Sequence, residues 1–398
     1  MKTRYDAALL PAALAAALSL GAGDAAAQVQ TASNFKLTVG GDAFFEAGFV
    51  DQKRDAGLRS TEFRNRLRLL IIPTAKADNG LEYGARIRLR ANNGDRTTDA
   101  DRAFLFAQGS FGTLRGGLLS GVDNDVHLFM QTPLDWRMLV LYNEPFAYIG
   151  GTSNGGATVN GVPAGADLPY LKTGFDWIDL NFLENNATKI VYYSPRIAGF
   201  QIGVDFTPRN DSSNSDVSRV KLGSGTAPFT NTYQNILEGG VNYDARIGDV
   251  AVKAFGTAMV GSAVDTPAVT YHDLRAWHVG GQLGFGVWSV GAGYLDVGKS
   301  GLGKASGIAA DRTRTWSTGF QYRDGPVAAG FQYQHGQDAG NPALPGARSV
   351  DTYTAGGMYT VAPGLSVGGE YALFRARSDT AGRNDRGSVV LLHSALMF

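Results

Sequence analysis

From Asn34 onward the chain alternates. Phe35, Leu37, Val39, Ala43, Phe45, Ala47 and Phe49 share one parity, whereas Lys36, Thr38, Asp42 and Glu46 share the other. A period of two belongs to a strand with one apolar and one polar face; a helix of 3.6 residues per turn would mix the sets. The pattern returns at Phe63, Leu67, Leu69 and Ile71 against Glu62, Arg64, Arg66 and Arg68. It returns again at Leu81, Tyr83, Ala85, Ile87 and Leu89 against Glu82, Arg86, Arg88 and Arg90, after the turn Lys76-Ala77-Asp78-Asn79-Gly80. Continued along the chain, it predicts strands near 34–50, 60–76, 80–92, 101–110, 113–121, 187–195, 199–208, 232–246, 249–260, 271–285, 287–297, 311–324, 326–336, 349–361, 364–377 and 386–398, an even set of sixteen.

The connectors alternate too. Short turns at Ser110-Phe111-Gly112, 195–198, Ile247-Gly248, Asp324-Gly325 and Ala362-Pro363 are separated by longer polar loops at 209–231, 298–310, 337–348 and 378–385. Strands that cross a membrane place short turns on one side and long loops on the other. Only a closed sheet satisfies its backbone in lipid, and sixteen strands enclose a water-filled channel. The predicted fold class is therefore all-β, a closed antiparallel transmembrane β-barrel of sixteen strands.

The first residues read differently. Lys2 and Arg4 precede an apolar run from Ala7 to Leu20, and Ala25-Ala26-Ala27 follows. These are the three parts of a secretory signal peptide, predicted over 1–27 with cleavage before Gln28, which leaves 28–398 as one barrel domain. No later stretch offers 18 consecutive apolar residues, so any membrane crossing falls to strands. With 53 Gly, 21 Phe and 16 Tyr but only 18% charged residues, the composition suits a large sheet. The absence of cysteine excludes disulfides, thiolate metal sites and cysteine nucleophiles. Zero net charge without a basic tail gives no reason to expect nucleic acid. His127, His272, His278, His335 and His393 lack metal-ligand spacing, and no G-x-S-x-G elbow is present. Asp123-Asn124-Asp125 offers oxygens of the kind calcium takes, and no other cofactor is implied.

Candidate chemistry lies on the polar parity. Arg64, Arg66 and Arg68 and then Arg86, Arg88 and Arg90 form two ladders on strands joined by a short turn, a basic wall facing the lumen. The connector 122–186 spans 65 residues, where loops beyond about 15 residues are uncommon and usually functional. It carries Asp123, Asp125, Asp135, Glu144, Asp167, Asp176, Asp179 and Glu184 against only Arg137 and Lys172. Folded into the barrel, this constriction loop would face the arginines and set a transverse field across a narrow eyelet. A plainer alternative pairs the arginines with Glu62, Glu82 and loop acids, which would stiffen the wall.

The last strand, from Gly387 to Met397 and Phe398, has Val390, Leu392, Leu396 and Phe398 on one face, and resembles the terminal strand of bacterial outer-membrane proteins. Asp101-Arg102-Ala103-Phe104-Leu105-Phe106, followed by Gly109-Ser110-Phe111-Gly112-Thr113-Leu114-Arg115-Gly116-Gly117 and a long loop, is similar to the fourth and fifth strands of the general-diffusion porins of Gram-negative bacteria. The acidic loop tip of enteric porins is loosely echoed by Asn143-Glu144-Pro145-Phe146 and Gly150-Gly151. The resemblance implies a homotrimer in the cell outer membrane, inserted among its lipids by the barrel-assembly machinery with Phe398 as terminal signal. Such a protein passes ions and small hydrophilic solutes and catalyses no reaction. Two other readings stay open: a porin selective for phosphate or another anion, and an outer-membrane barrel enzyme.

Overall fold

The computed structural model describes residues 35–398 apart from 56–57, 92–96, 124–147, 150, 153–156, 160–161, 165, 168–179, 181–182, 184–185, 214, 216, 218, 228, 306–312 and 342–343. The predicted signal peptide lies outside the described residues.

Strands β1 (Lys36–Gln52), β2 (Thr61–Lys76), β3 (Glu82–Arg90), β4 (Asp99–Gly109) and β5 (Gly112–Leu119) come first. Four short strands follow within the long connector: β6 (Gly151–Thr152), β7 (Ala157–Val159), β8 (Val162–Ala164) and β9 (Ala166–Asp167). Then come β10 (Ala187–Tyr193), β11 (Phe200–Arg209), β12 (Tyr233–Ile247), β13 (Val250–Ala263), β14 (Leu274–Phe285) and β15 (Trp288–Gly298). The last are β16 (Thr313–Asp324), β17 (Val327–Asn341), β18 (Leu344–Ala362), β19 (Leu365–Ser378) and β20 (Asp385–Met397). All but β6–β9 form one closed antiparallel barrel in which each strand pairs with its neighbours along the chain, β5 passing to β10 and β20 returning to β1. These are the sixteen strands that the alternation predicts.

Closure joins the two ends of the barrel sequence. Ala43 lies opposite Leu396 and Phe49 opposite Val390. The Gly41 amide donates to the Phe398 carbonyl at 2.8 Å, and the Phe398 amide returns a bond to the Gly41 carbonyl at 3.1 Å. The barrel itself is left without a free edge for another chain to extend. The tight turn between β4 and β5 needs its glycine: Gly112 has φ 108°, and a Cβ there would lie 2.1 Å from the Tyr193 carbonyl oxygen.

The predicted loop at 337–348 is a correction, because β17 and β18 run through it except at 342–343. Its polar residues pair on the inner face. Arg348 donates to Asp338 through Nε at 2.9 Å and Nη2 at 2.8 Å, both side chains buried and opposite one another in register. Polar composition there reflects a cross-strand ion pair and not solvation.

The outward parity is apolar and open, as in Leu37, Leu105, Ile202 and Leu392, which is the inverse of a soluble sheet and the signature of strands in lipid. Aromatic pairs mark both ends of this band. Trp288 meets Tyr322 at 5.0 Å near the short turns, while Trp277–Tyr294 (5.1 Å), Trp316–Tyr333 (4.9 Å) and Tyr333–Tyr353 (4.9 Å) form a row nearer the long loops.

Candidate functional site

The inward parity of β1–β5 carries the basic wall. Arg68 lies opposite Arg90 and Leu70 opposite Arg88, so the two predicted ladders are neighbours but staggered. Arg64 and Arg66 continue β2 beyond the end of β3, toward the long loops. Arg86 stands opposite Phe104 on β4. Two arginines that the alternation argument passed over extend the wall. Arg102 is the cross-strand partner of Arg88, and the Arg115 guanidinium sits over the rings of Phe104 (5.7 Å) and Tyr193 (5.0 Å).

Guanidiniums stay charged at any physiological pH, so crowding them requires counter-charge or water. The carboxylates that supply it differ from those expected, since Glu62 pairs with Arg59 and Glu82 accepts from Gln108 at 2.8 Å. Asp42 on β1 instead takes Arg66 Nη2 at 3.0 Å and Arg68 Nη2 at 2.7 Å. Asp101 takes Arg88 in a two-pronged pair, Nε and Nη2 both at 2.7 Å. Asp99 takes Arg90, and Glu46 lies 3.8 Å from Arg64. Asp101 reaches inward through an irregularity in the sheet: register shifts between Arg88 and Leu89, leaving Asp101 as an extra residue on β4. Such a bulge turns a side chain that strict alternation would send outward. The Phe44 ring lies 5.5 Å from the Arg64 guanidinium and 5.0 Å from that of Arg66, a further favourable contact for the cations. The arginine side chains of these pairs keep between 11% and 34% of their surface accessible, which leaves them in reach of a solute in the lumen.

The described parts of the long connector at 122–123, 148–149, 180 and 183 pack inside the barrel. The connector's first turn is clamped to the wall opposite the arginines. Val122 N donates to Glu238 at 2.8 Å and to Asp205 at 3.0 Å, and Asp123 N donates to Glu238 at 3.0 Å. The Asp123 carboxylate accepts from Thr257 Oγ1 at 2.6 Å and from Leu180 N at 2.8 Å, and lies 3.0 Å from His278 Nδ1. Asp123 and His278 are each 1% exposed, so this predicted constriction acid is a structural anchor at the loop's root, with both oxygens held by protein. Leu180 and Leu183, near the loop's return, join Tyr233, Ile236, Met259 and Leu295 in a buried cluster inside the barrel.

A second attachment lies across the lumen. Ile149 packs with Val350, Phe374 and Leu391 on the inner face of β18–β20. Tyr148 rests on Gly48, where an added Cβ would fall 2.3 Å from its ring, and its hydroxyl is 3.5 Å from Glu46 Oε2. Burial first, and the neighbouring Glu46 charge next, raise the Tyr148 pKa, so the hydroxyl keeps its proton. Through Glu46 this residue sits beside Arg64 at the upper end of the basic wall. Among the predicted loop acids, Asp125, Asp135, Glu144, Asp176, Asp179 and Glu184 lie outside the described residues; Asp167 ends β9, paired in parallel with Thr152 of β6. Of the predicted calcium ligands, Asn124 and Asp125 also lie outside them.

Comparison with known proteins agrees with this architecture. Residues 12–379 match the Gram-negative porin family. An uncharacterized protein of Rickettsia conorii is 22% identical over 422 residues, 92% of this chain and 93% of that protein. One from Rickettsia bellii is 25% identical over 263 residues, 55% of this chain. The chain spans 59% of the R. bellii protein and 61% of a similar one from Rickettsia felis. Among solved structures, a mutant of the Rh. blastica porin superposes with a TM-score of 0.53 at 15% identity, covering 91% of this chain and all of that one. A loop-deleted OmpT, an outer membrane protein of Vibrio cholerae, does so with 0.58 at 12% identity, covering 92% of this chain. At such identities the structural likeness speaks for the fold.

Proposed function

The chain belongs to the Gram-negative porin family, and from that premise we propose that it forms a water-filled channel in the outer membrane for passive diffusion of ions and small hydrophilic solutes. The observation that carries this reading is the inner face of β1–β5, where part-exposed guanidiniums line the lumen of a closed barrel entered by the long connector. A barrel filled for rigidity would bury those groups. Size is limited where the connector crosses, and the arginines bias the passage by charge. Residues 1–27 are read as the export signal, and the mature barrel as a homotrimer inserted by the assembly machinery.

Reversal potentials of reconstituted channels under a salt gradient test this. Replacing Arg66, Arg86 and Arg88 together with glutamine should move permeability toward cations while single-channel events persist. Unchanged selectivity would remove the basic wall from the mechanism, and absence of conductance in the unaltered protein would remove the channel.

A second reading has its own support. Among the described residues Asp42 is shared by two guanidiniums of the wall, Arg66 and Arg68, an arrangement that favours selection of phosphate or another anion. A saturable block of chloride current by phosphate, lost in the same glutamine variant, would distinguish this from general diffusion.

A further inference from the structure

At the short-turn end the inner face changes character. The inward parity of β3 runs Arg90, Arg88, Arg86, Gly84 and then Glu82, so the basic wall reverses sign at the strand's end. From there a row of inward side chains crosses adjacent strands in direct register. Lys76 of β2 lies opposite Glu82, Glu82 opposite Gln108 of β4, and Gln108 opposite Thr113 of β5. With Ser194 and Gln201 from the next short turn, these residues line a cavity of about 330 Å³.

The frame of this cavity is held, while its charges are left available. Glu82 Oε1 accepts from Gln108 Nε2 at 2.8 Å, and Oε2 has no partner among the described residues. The Lys76 ammonium and the Thr113 hydroxyl make no hydrogen bond or ion pair among those residues, although Lys76 faces Glu82 across the ladder. Gln201 is fixed at both ends of its amide, donating to the Ser194 carbonyl at 2.8 Å and accepting from Arg196 Nη2 at 3.0 Å. Gly112 lets the β4–β5 turn lie against the Tyr193 carbonyl. Ala77 N to Leu81 O at 2.8 Å and Gly80 N to Ala77 O at 2.9 Å close the turn beside Lys76. A site ordered in advance in this way spends little of a ligand's binding energy on its own ordering.

Charge decides what such a cavity can hold. A plain anion gains from Lys76 and loses from Glu82, a plain cation does the reverse, and for two neighbouring charges the effects nearly cancel. Only a molecule that carries both charges gains from each. A volume near the lower end of ligand pockets, which span about 300–1,000 Å³, restricts that molecule to a small one. Resting on the reading of this barrel as a channel whose short turns face the periplasm, we propose that the cavity binds a free α-amino acid as its zwitterion, the ammonium on Glu82 and the carboxylate on Lys76 and Thr113. The arginines of the wall attract the carboxylate of such a solute along its path. Glu82 is the first inward group of β3 that takes its ammonium, which makes the cavity a last stop before release.

The test titrates the folded barrel in detergent micelles with alanine, with lactate, which lacks the ammonium, and with alaninol, which lacks the carboxylate, and follows each ligand by saturation-transfer NMR. Alanine should bind saturably, and the other two at least about fivefold more weakly. K76Q and E82Q should each weaken alanine binding by about fivefold, whereas the charge-swapped K76E/E82K should restore it to within about twofold, because the zwitterion can turn round. A swap as weak as the single variants would overturn the pairing of charges. Equal affinity for alanine and lactate would overturn the proposal in favour of a general anion site, as would single variants that bind alanine like the unaltered protein. Single-channel conductance of the unaltered protein reads the pore separately. Conductance without saturable alanine binding sinks the site and leaves the channel; alanine binding without conductance sinks the channel and leaves the site.

Discussion

The two sides of the lumen use carboxylates in opposite ways. On β1 and β4, Asp42 and Asp101 meet arginine side chains and remain partly open to water. On the facing wall, Asp205, Glu238 and the Asp123 of the connector are buried and hold backbone amides, a hydroxyl and an imidazole. A fully exposed pair is worth typically about 0–1 kcal/mol; one that is mostly covered yet still touches water contributes more, and keeps its field available to a passing solute. A buried one is held by its own partners, and its loss is costly because those partners are left desolvated. Charge on one side can govern permeation while charge on the other governs shape.

Substitutions that break this contrast should differ in kind as well as size. Asp123→Ala strands His278, Thr257 and the Leu180 amide without their acceptor, and should cost roughly 3–5 kcal/mol in thermal or denaturant unfolding. It should also raise single-channel conductance as the loop's root is released; normal conductance together with normal stability would disprove the clamp. Gly48→Ala places a methyl group where the Tyr148 ring lies. Displacing that ring should cost about 1–3 kcal/mol and enlarge the solute cut-off measured by liposome swelling, with ion selectivity retained. Asp42→Asn should cost about 1–3 kcal/mol in unfolding, less than Asp123→Ala, because Arg66 and Arg68 are mostly covered but keep some contact with water; it should shift the reversal potential toward anions, since Arg66 and Arg68 lose a counter-charge. A stability loss as large as that of Asp123→Ala would show that the near wall is structural too.

The smallest effect is one of pH in the outer loops. Burial, then Lys304 and Lys299, lower the His272 pKa. Between its depressed folded value and the ordinary imidazole value, the unfolded segment binds more protons, so stability there rises with pH and is lost on acidification. The amides in the bonds that His272 makes with Leu302 and Gly301 should therefore show lower protection factors, with the intrinsic pH dependence of exchange divided out, at pH 5 than at pH 8, and a His272→Asn variant should show a flatter response.

Strand positions were legible because lipid on one side and water on the other enforce alternation over long stretches, as from Phe35 to Phe49. The same alternation puts the six ladder arginines on one parity of β2 and β3. Their partners were not legible. The stagger that sets Arg68 against Arg90 depends on how far one strand slides past the next, a quantity with no local sequence mark. Asp101 turns inward at an extra residue, and the adjacent charges of Asp101-Arg102 in an otherwise alternating strand were the one clue to it. Glu238 and Tyr148 act across the lumen from the segments they contact, and sequence distance hides such pairs. Alternation also failed at 337–348, where density of polar residues outweighed their parity.

The attachments of the connector have a consequence for how constant the aperture is. A chain of 65 residues free between its ends would wander over a wide volume, and its mean position would shift with temperature. Pegs at Val122–Asp123, at Tyr148–Ile149 and at Leu180–Leu183 divide it into shorter spans. Excursions of a tethered polymer shrink with the length between its fixed points, so under the proposed function the position of these pegs on the barrel wall sets the opening beside the connector.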